Sequence, residues 1–335
     1  MVFPLSYILF LFSLFLGITI SISSPSWFGI WTGLELNMIS FIPLITIKMN
    51  SYYSESALKY FLIQALGSTL FILSSCMLLS FSMFSPPLLL TSLLLKLGSA
   101  PFHFWFPHVM TGLTWPQAII LMTFQKIPPM ILISYLVIFP NLTQIICLSA
   151  ILSAIIGALN GLNTMQLRKI MAFSSINHMS WMLMSISIND MLWILYFLFY
   201  SVISSSIMTI FNMYQTNTLS DLMKFNQFKS INSLLIPLNF LSLGGLPPFA
   251  GFIPKWMLIQ LMINNKLFFP LIFLLFSALI TLYFYLRITI FFLLLNNPYM
   301  ITYSKLNPAL FSYPSHSLLF FNIFMFLIPL MFLLS

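Results

Sequence analysis

Four ionisable side chains stand where an apolar chain should carry none. Glu35, Lys96, Lys126 and Lys255 each lie well inside a long hydrophobic run. Glu35 is about eight residues into the run 27–47, ~12 Å from its start at 1.5 Å per residue and so near the middle of a ~30 Å hydrocarbon slab. Lys96 follows Pro87 by nine residues, Lys126 follows Pro116 by ten, and Lys255 precedes Asn264 by nine, which puts all four groups in one layer. A charge at the bilayer centre costs roughly 2.5–3.5 kcal/mol on a lenient scale, on the order of 10 kcal/mol for the set, so such groups are paired, hydrated or functional. Lysine suits proton transfer because burial penalises the ammonium while a nearby carboxylate favours it. Glu35 beside a lysine would hold that lysine protonated, and moving the partner away would release the proton. The competing reading is a static buried ion pair that only fixes helix packing.

His178 lies about ten residues, or ~15 Å, beyond Arg168 and so at a similar depth. A neutral imidazole there can relay a proton between lysines, or it can simply bond to the neighbouring Ser and Asn side chains. His103 and His108 are expected at the interface, with Trp105 and Trp115 in an aromatic belt, and neither histidine is expected to bind a metal.

The elements that must position these groups follow from composition. The 335 residues are 60% hydrophobic and 5% charged, too little polar surface for a soluble protein, so the expected fold is an all-α polytopic membrane protein forming a single domain, 1–335. The net charge of +8 is spread singly near segment ends, which points to membrane topology and a lipid bilayer rather than to nucleic acid. Cys76 and Cys147 sit in apolar runs and are expected to be small core residues. The apolar first twenty residues lack a basic leader and a cleavage site, and read as a retained helix.

Apolar stretches long enough to cross a bilayer give eleven spans, near 3–22, 27–47, 57–80, 87–108, 116–138, 142–161, 169–187, 191–214, 231–262, 268–294 and 316–334. Loops on the N-terminal side then hold Lys48, Lys59, Arg168, Lys169, Lys224, Lys229, Arg287 and Lys305, against Lys266 alone on the other. By the positive-inside rule the N-terminus faces the cytoplasm or its organellar equivalent and the C-terminus faces away. The fourth and ninth spans are interrupted, near 97–101 and 244–248, where Leu97-Gly-Ser-Ala-Pro-Phe102 echoes Leu243-Gly-Gly-Leu-Pro-Pro-Phe249. Five spans separate the two copies, so the second is inverted, as in transporters whose discontinuous helices meet near the midplane. The copies fall in 87–214 and in 231–334, the latter including a C-terminal helix. There is no paired-histidine pattern for haem, no cysteine set for an iron–sulfur cluster, and no GxGxxG or Walker loop, so no cofactor is expected on this chain.

Six ordered segments carry a resemblance: Trp31-Thr-Gly-Leu-Glu-Leu-Asn37, Leu58-Lys-Tyr-Phe-Leu-Ile-Gln64, Lys96-Leu-Gly-Ser-Ala-Pro-Phe-His-Phe-Trp105, Gln125-Lys-Ile-Pro128, Leu167-Arg-Lys-Ile-Met-Ala-Phe-Ser-Ser175 and Leu241-Ser-Leu-Gly-Gly-Leu-Pro-Pro-Phe249. Together they resemble the subunit 2 family of animal mitochondrial NADH dehydrogenase (ubiquinone), an antiporter-like membrane subunit of respiratory complex I. The resemblance implies two inverted five-helix repeats and, in the shortened animal form, eleven helices. It implies proton translocation, with Glu35 and Lys96 as the input pair, Lys126 as the central lysine, His178 as a connector and Lys255 as the distal lysine. It also implies the mitochondrial inner membrane with the N-terminus in the matrix, and contact with chains 4 and 4L and with accessory subunits. NADH, FMN, iron–sulfur clusters and ubiquinone are then expected in other subunits of the complex. A Mrp-type cation/proton antiporter sharing the same repeat is the alternative.

Overall fold

A computed structural model describes residues 5–46, 50–78, 83–222, 232–247 and 249–294. The described residues are helical, apart from loops and a lone antiparallel bridge between Gln166 and Thr218. The chain divides into two compact units, Met1–Ser153 and Ala154–Ser335.

The first unit holds α1 (Leu5–Ser23), α2 (Trp27–Ile45), α3 (Ser51–Met77), α4 (Ser85–Leu97), α5 (Trp105–Gly112), α6 (Trp115–Met122), a 3₁₀ turn (Phe124–Lys126) and α7 (Ile127–Leu136). Helices α1 and α2 approach closely because glycines face each other. A Cβ on Gly17 would stand 2.9 Å from the Gly33 carbonyl oxygen, and one on Gly33 would stand 2.6 Å from the Ser21 nitrogen. Small residues that let backbones touch are how helices associate where no hydrophobic force drives them. Ser26 caps α2 by accepting from the Gly29 N–H (3.2 Å).

Helix α8 (Pro140–Gly161) contains the division between the units. The second unit continues with α9 (Leu167–Ile188), α10 (Asp190–Tyr214), α11 (Leu219–Leu222), α12 (Asn232–Gly244), α13 (Phe252–Asn264) and α14 (Phe268–Leu294). Asn189 caps α10 through the Met191 N–H (3.0 Å). The loop before α9 is tied to the one before α11, with Leu167 N–H donating to Asn217 O and Leu219 N–H to Met165 O. Arg168 reinforces the tie by donating to Asn217 Oδ1 (2.7 Å).

Among the described residues seven helices are long and apolar enough to cross a membrane, and they correspond to the first, second, third, fifth, sixth, eighth and tenth expected spans. The count of eleven is not reached among the described residues, and each missing span has its own reason. The fourth is split into α4 and α5 and the ninth into α12 and α13, as the Gly-Pro breaks predicted. The seventh is α9, 22 residues long but carrying five serines with Arg168, Lys169, Asn177 and His178; 17 of its residues are buried, so its surroundings are protein and it need not be lipophilic. The eleventh, 316–334, lies outside the described residues, as do Lys48, Lys224, Lys229 and Lys305 among the loop charges.

Several local expectations are corrected. Cys76 is exposed and Cys147 half-buried, so neither is a core residue. His103, Trp105 and Trp115 are buried within the protein rather than exposed in a belt, while Phe102 and Phe104 between α4 and α5 are exposed. Arg287 is not simply a loop charge: it lies within α14 and donates to Leu162 O (2.8 Å) and Thr164 O (2.9 Å), closing the end of α8.

Candidate functional site

Each of the three intramembrane lysines lies at or beside an interruption in helix geometry. Helix α4 ends at Gly98, whose φ of 69° is left-handed, and α12 ends at Gly245, with φ 76°. The two ends carry the same motif. Gly98 N–H bonds to Leu95 O and Ser99 N–H to Leu94 O, while Gly245 N–H bonds to Ser242 O and Leu246 N–H to Leu241 O. This is the Schellman arrangement, which needs a residue free to adopt positive φ.

Lys126 lies at an interruption within the fifth span. The fifth span is broken at Thr123–Lys126, ahead of Pro128 and Pro129 rather than at them. A proline ring clashes with the carbonyl four residues earlier and offers no N–H to it. For these two prolines the affected carbonyls belong to Phe124 and Gln125, the residues that form the 3₁₀ turn.

In the first unit Lys96 (8% exposed) and Lys126 (2% exposed) line a single cavity. Tyr60, Gln64, Asn37, Gln125 and Trp105 are among its other walls. Its volume is about 20 Å³, and one water needs roughly 10–15 Å³ on the same measure. The Lys126 ammonium lies 5.2 Å from the centroid of the Phe106 ring, within cation–π range. Gln64 Nε2 donates to the Lys96 carbonyl (3.2 Å) and Trp105 Nε1 to the Leu95 carbonyl (3.1 Å), so neutral groups satisfy the end of α4. Glu35 is half-buried on α2. It acts electrostatically on Lys96 and on the Tyr60 hydroxyl, yet no ion pair within 4.0 Å joins it to Lys96; among the described residues the ion pair is Lys59–Glu55, at the surface.

In the second unit Lys255 (6% exposed) caps the end of α12. Its Nζ donates to Gly244 O (2.9 Å) and Leu243 O (3.2 Å), and it lies 5.8 Å from the Trp181 ring centroid. His178 is buried on α9, with Nδ1 hydrogen-bonded to the Tyr196 hydroxyl at 2.9 Å and its ring 5.1 Å from that of Tyr200. These three residues, with Ser242 and Leu243, line a cavity of about 10 Å³, at the threshold for one water.

The structure thus brings Lys96 and Lys126 to one cavity, and gathers His178 with Tyr196 and Tyr200. Tyr60, Gln64, Tyr196 and Trp181 are site residues that sequence reasoning missed. Tyr196 and Trp181 had no signal beyond a polar or amphipathic residue inside an apolar run, whereas Tyr60 and Gln64 fall in a segment that carried the resemblance. Among the described residues no group of three or more His, Cys, Asp and Glu could hold a metal ion.

Buried lysines at helix interruptions, lining small polar cavities inside a bundle of membrane-crossing helices, define an antiporter-like membrane protein. Residues 24–281 match the transmembrane family of NADH:quinone oxidoreductases and Mrp antiporters, and the chain belongs to that family. Its relatives include the NADH-ubiquinone oxidoreductase chain 2 of Anopheles gambiae, 49% identical over 270 residues and 78% of each chain. That of Locusta migratoria is 39% identical over 267 residues, 78% of this chain and 77% of the other. The fold is shared with a chain of respiratory complex I from Thermus thermophilus (TM-score 0.85, 22% identity, 97% of this chain and 79% of that one). It is also shared with one of the Mrp complex from Dietzia (TM-score 0.74, 15% identity, 83% and 59%).

Proposed function

We propose that this chain is a proton-translocating membrane-arm subunit of a mitochondrial NADH:ubiquinone oxidoreductase, complex I. The observation that carries the reading is the shared cavity of Lys96 and Lys126: two buried ammonium groups face one water-sized space, each beside a helix break. A proton on one lysine disfavours a proton on the other, so the pair can pass charge through a bridging water or side chain. Glu35 tunes Lys96 from α2, Lys126 is the central carrier, His178 with Tyr196 is the connector, and Lys255 is the distal group. Quinone reduction elsewhere in the complex supplies the driving force, and the chain carries no redox centre or cofactor of its own; NADH, FMN, iron–sulfur clusters and ubiquinone belong to other subunits.

The matched Schellman ends at Gly98 and Gly245 support the inverted repeat, with copies in 87–214 and 231–334. The animal relatives support the mitochondrial inner membrane, the loop charges favour a matrix N-terminus, and chains 4 and 4L with accessory subunits are the expected neighbours. Replacing Lys126 with Met in the assembled complex tests the reading. Proton pumping and coupled turnover should fall together, and unchanged pumping removes Lys126 from the path.

The family description and the shared fold also admit a Mrp-type cation/proton antiporter. The 49% identity to a complex I chain favours the first reading. Sodium-dependent transport by the reconstituted chain would favour the second.

A further inference from the structure

Beside Lys126 a string of hydrogen bonds crosses three elements without involving a charged group. The Tyr60 hydroxyl on α3 donates to Gln125 Oε1 (3.2 Å), and Gln125 Nε2 donates to Asn37 Oδ1 on α2 (2.9 Å). Tyr60 is 1% and Asn37 3% exposed, so both ends of the string are anchored in the interior. An amide does not exchange protons readily enough to carry them, so the string has no evident use as a wire. It does fix orientation, since each amide face is committed to one partner.

The residue it grips is in the 3₁₀ turn, immediately before Lys126, where two carbonyls have lost their helical donors to the prolines. The same elements bear on the other charged groups. Gln64, four residues after Tyr60 and so on the same face of α3, holds the Lys96 carbonyl. Asn37 is two residues from Glu35 on α2. A second glutamine repeats the tie one helical stretch away, Gln117 Nε2 donating to Leu44 O (2.6 Å), so α2 is pinned to the α6–α7 segment at two points.

We propose that Gln125, held between Tyr60 and Asn37, is a positioning residue that sets where the Lys126 ammonium stands in the cavity and ties it mechanically to the helix bearing Glu35. A displacement of α2 would then reach Lys126 through Asn37 and Gln125 as well as through charge. The inference rests on the proton-carrying role proposed for Lys126.

The test uses the assembled complex in proteoliposomes, with proton-to-electron ratio and coupled turnover measured per assembled complex for Gln125→Leu, Tyr60→Phe, the double variant and Lys126→Met. Gln125→Leu should lower coupled turnover roughly tenfold, as for a misplaced group, and Tyr60→Phe less. Because Tyr60 acts through Gln125, the double variant should be no worse than Gln125→Leu. If Gln125→Leu does not assemble, Tyr60→Phe decides, since it removes one hydroxyl. A normal ratio and turnover in Gln125→Leu or, failing its assembly, in Tyr60→Phe, with Lys126→Met impaired, overturns the positioning role and leaves the Lys126 reading standing. Losses that multiply in the double variant also overturn it. Normal pumping in Lys126→Met overturns both.

Discussion

The Lys255 ammonium closes the end of α12 from the first turn of α13, 2.9 Å from the Gly244 carbonyl oxygen. With Leu241 and Ser242 satisfied by the backbone of the turn, Lys255 takes the last two carbonyls, Leu243 and Gly244. In the first unit Gln64 serves the Lys96 carbonyl, the equivalent of Leu243, and Trp105 adds a second donor to the Leu95 carbonyl, which leaves the Lys96 side chain to the cavity. Lys255 therefore has a structural duty that Lys96 lacks. Replacing Lys255 with Met should leave two buried carbonyls without donors, at about 1–3 kcal/mol each. Assembled complex should decline as well as pumping, measured by native-gel abundance against activity per complex. Normal abundance with lost pumping would show that the cap is dispensable.

The two glycines at the breaks should differ in their tolerance of alanine. A left-handed residue other than glycine costs roughly 1–2 kcal/mol, and that applies to both. Beyond it, a Cβ on Gly245 would stand 2.7 Å from Lys255 Cδ, whereas one on Gly98 meets Phe106 and Trp105 at 3.2 Å. Gly245→Ala must displace the lysine that caps the same helix end. It should reduce thermal stability of the assembled complex more than Gly98→Ala, and equal losses in a melting experiment would contradict this.

What could be read in the sequence was set by local chemistry. The Gly-Pro breaks announced themselves because backbone conformation is decided within a few residues, and the buried charges did so because their cost is independent of fold. The break at Lys126 carries no Gly-Pro signal of its own, because the clash of Pro128 and Pro129 acts four residues upstream. His103, Trp105 and Trp115 looked like belt residues because a histidine–tryptophan cluster at a span end usually is one; here all three are buried, and the break gives Trp105 a carbonyl to cap. Tyr60, Gln64 and Tyr196 could not be singled out, since their partners lie up to 65 residues away and are chosen by packing alone.

The histidine site makes a narrow prediction. Tyr196 supplies the 2.9 Å partner of His178 Nδ1, and its hydroxyl can donate to that nitrogen or accept from it, so the bond orients the ring in either tautomer. Tyr196→Phe keeps an aromatic ring in the core but removes that partner. Pumping should fall by several-fold with assembly intact, as for loss of one buried hydrogen bond, about 1 kcal/mol. An unchanged proton-to-electron ratio and rate would mean that His178 is simply a satisfied core side chain.

The α1–α2 contact offers a test of packing free of any charge. Gly17 and Gly33 face one another so closely that a Cβ on Gly33 would sit 2.6 Å from the Ser21 backbone nitrogen, an atom that no rotamer change can move. Alanine at either position must push the helices apart, and overpacking of this kind typically costs 1–3 kcal/mol. Because α2 carries Glu35 and Asn37, the shift should reach the cavity wall, where Asn37 holds Gln125. Gly33→Ala is thus expected to reduce both the stability of the assembled complex and its coupled turnover. Gly29→Ala, near the start of the same helix, meets Ser24 Cβ at 2.9 Å and the capping Ser26 hydroxyl at 3.2 Å, so its strain falls on the turn before α2 rather than on the α1 backbone. It should leave turnover near the parental value, and a comparable loss in Gly29→Ala would assign the effect to α2 as a whole rather than to its contact with α1.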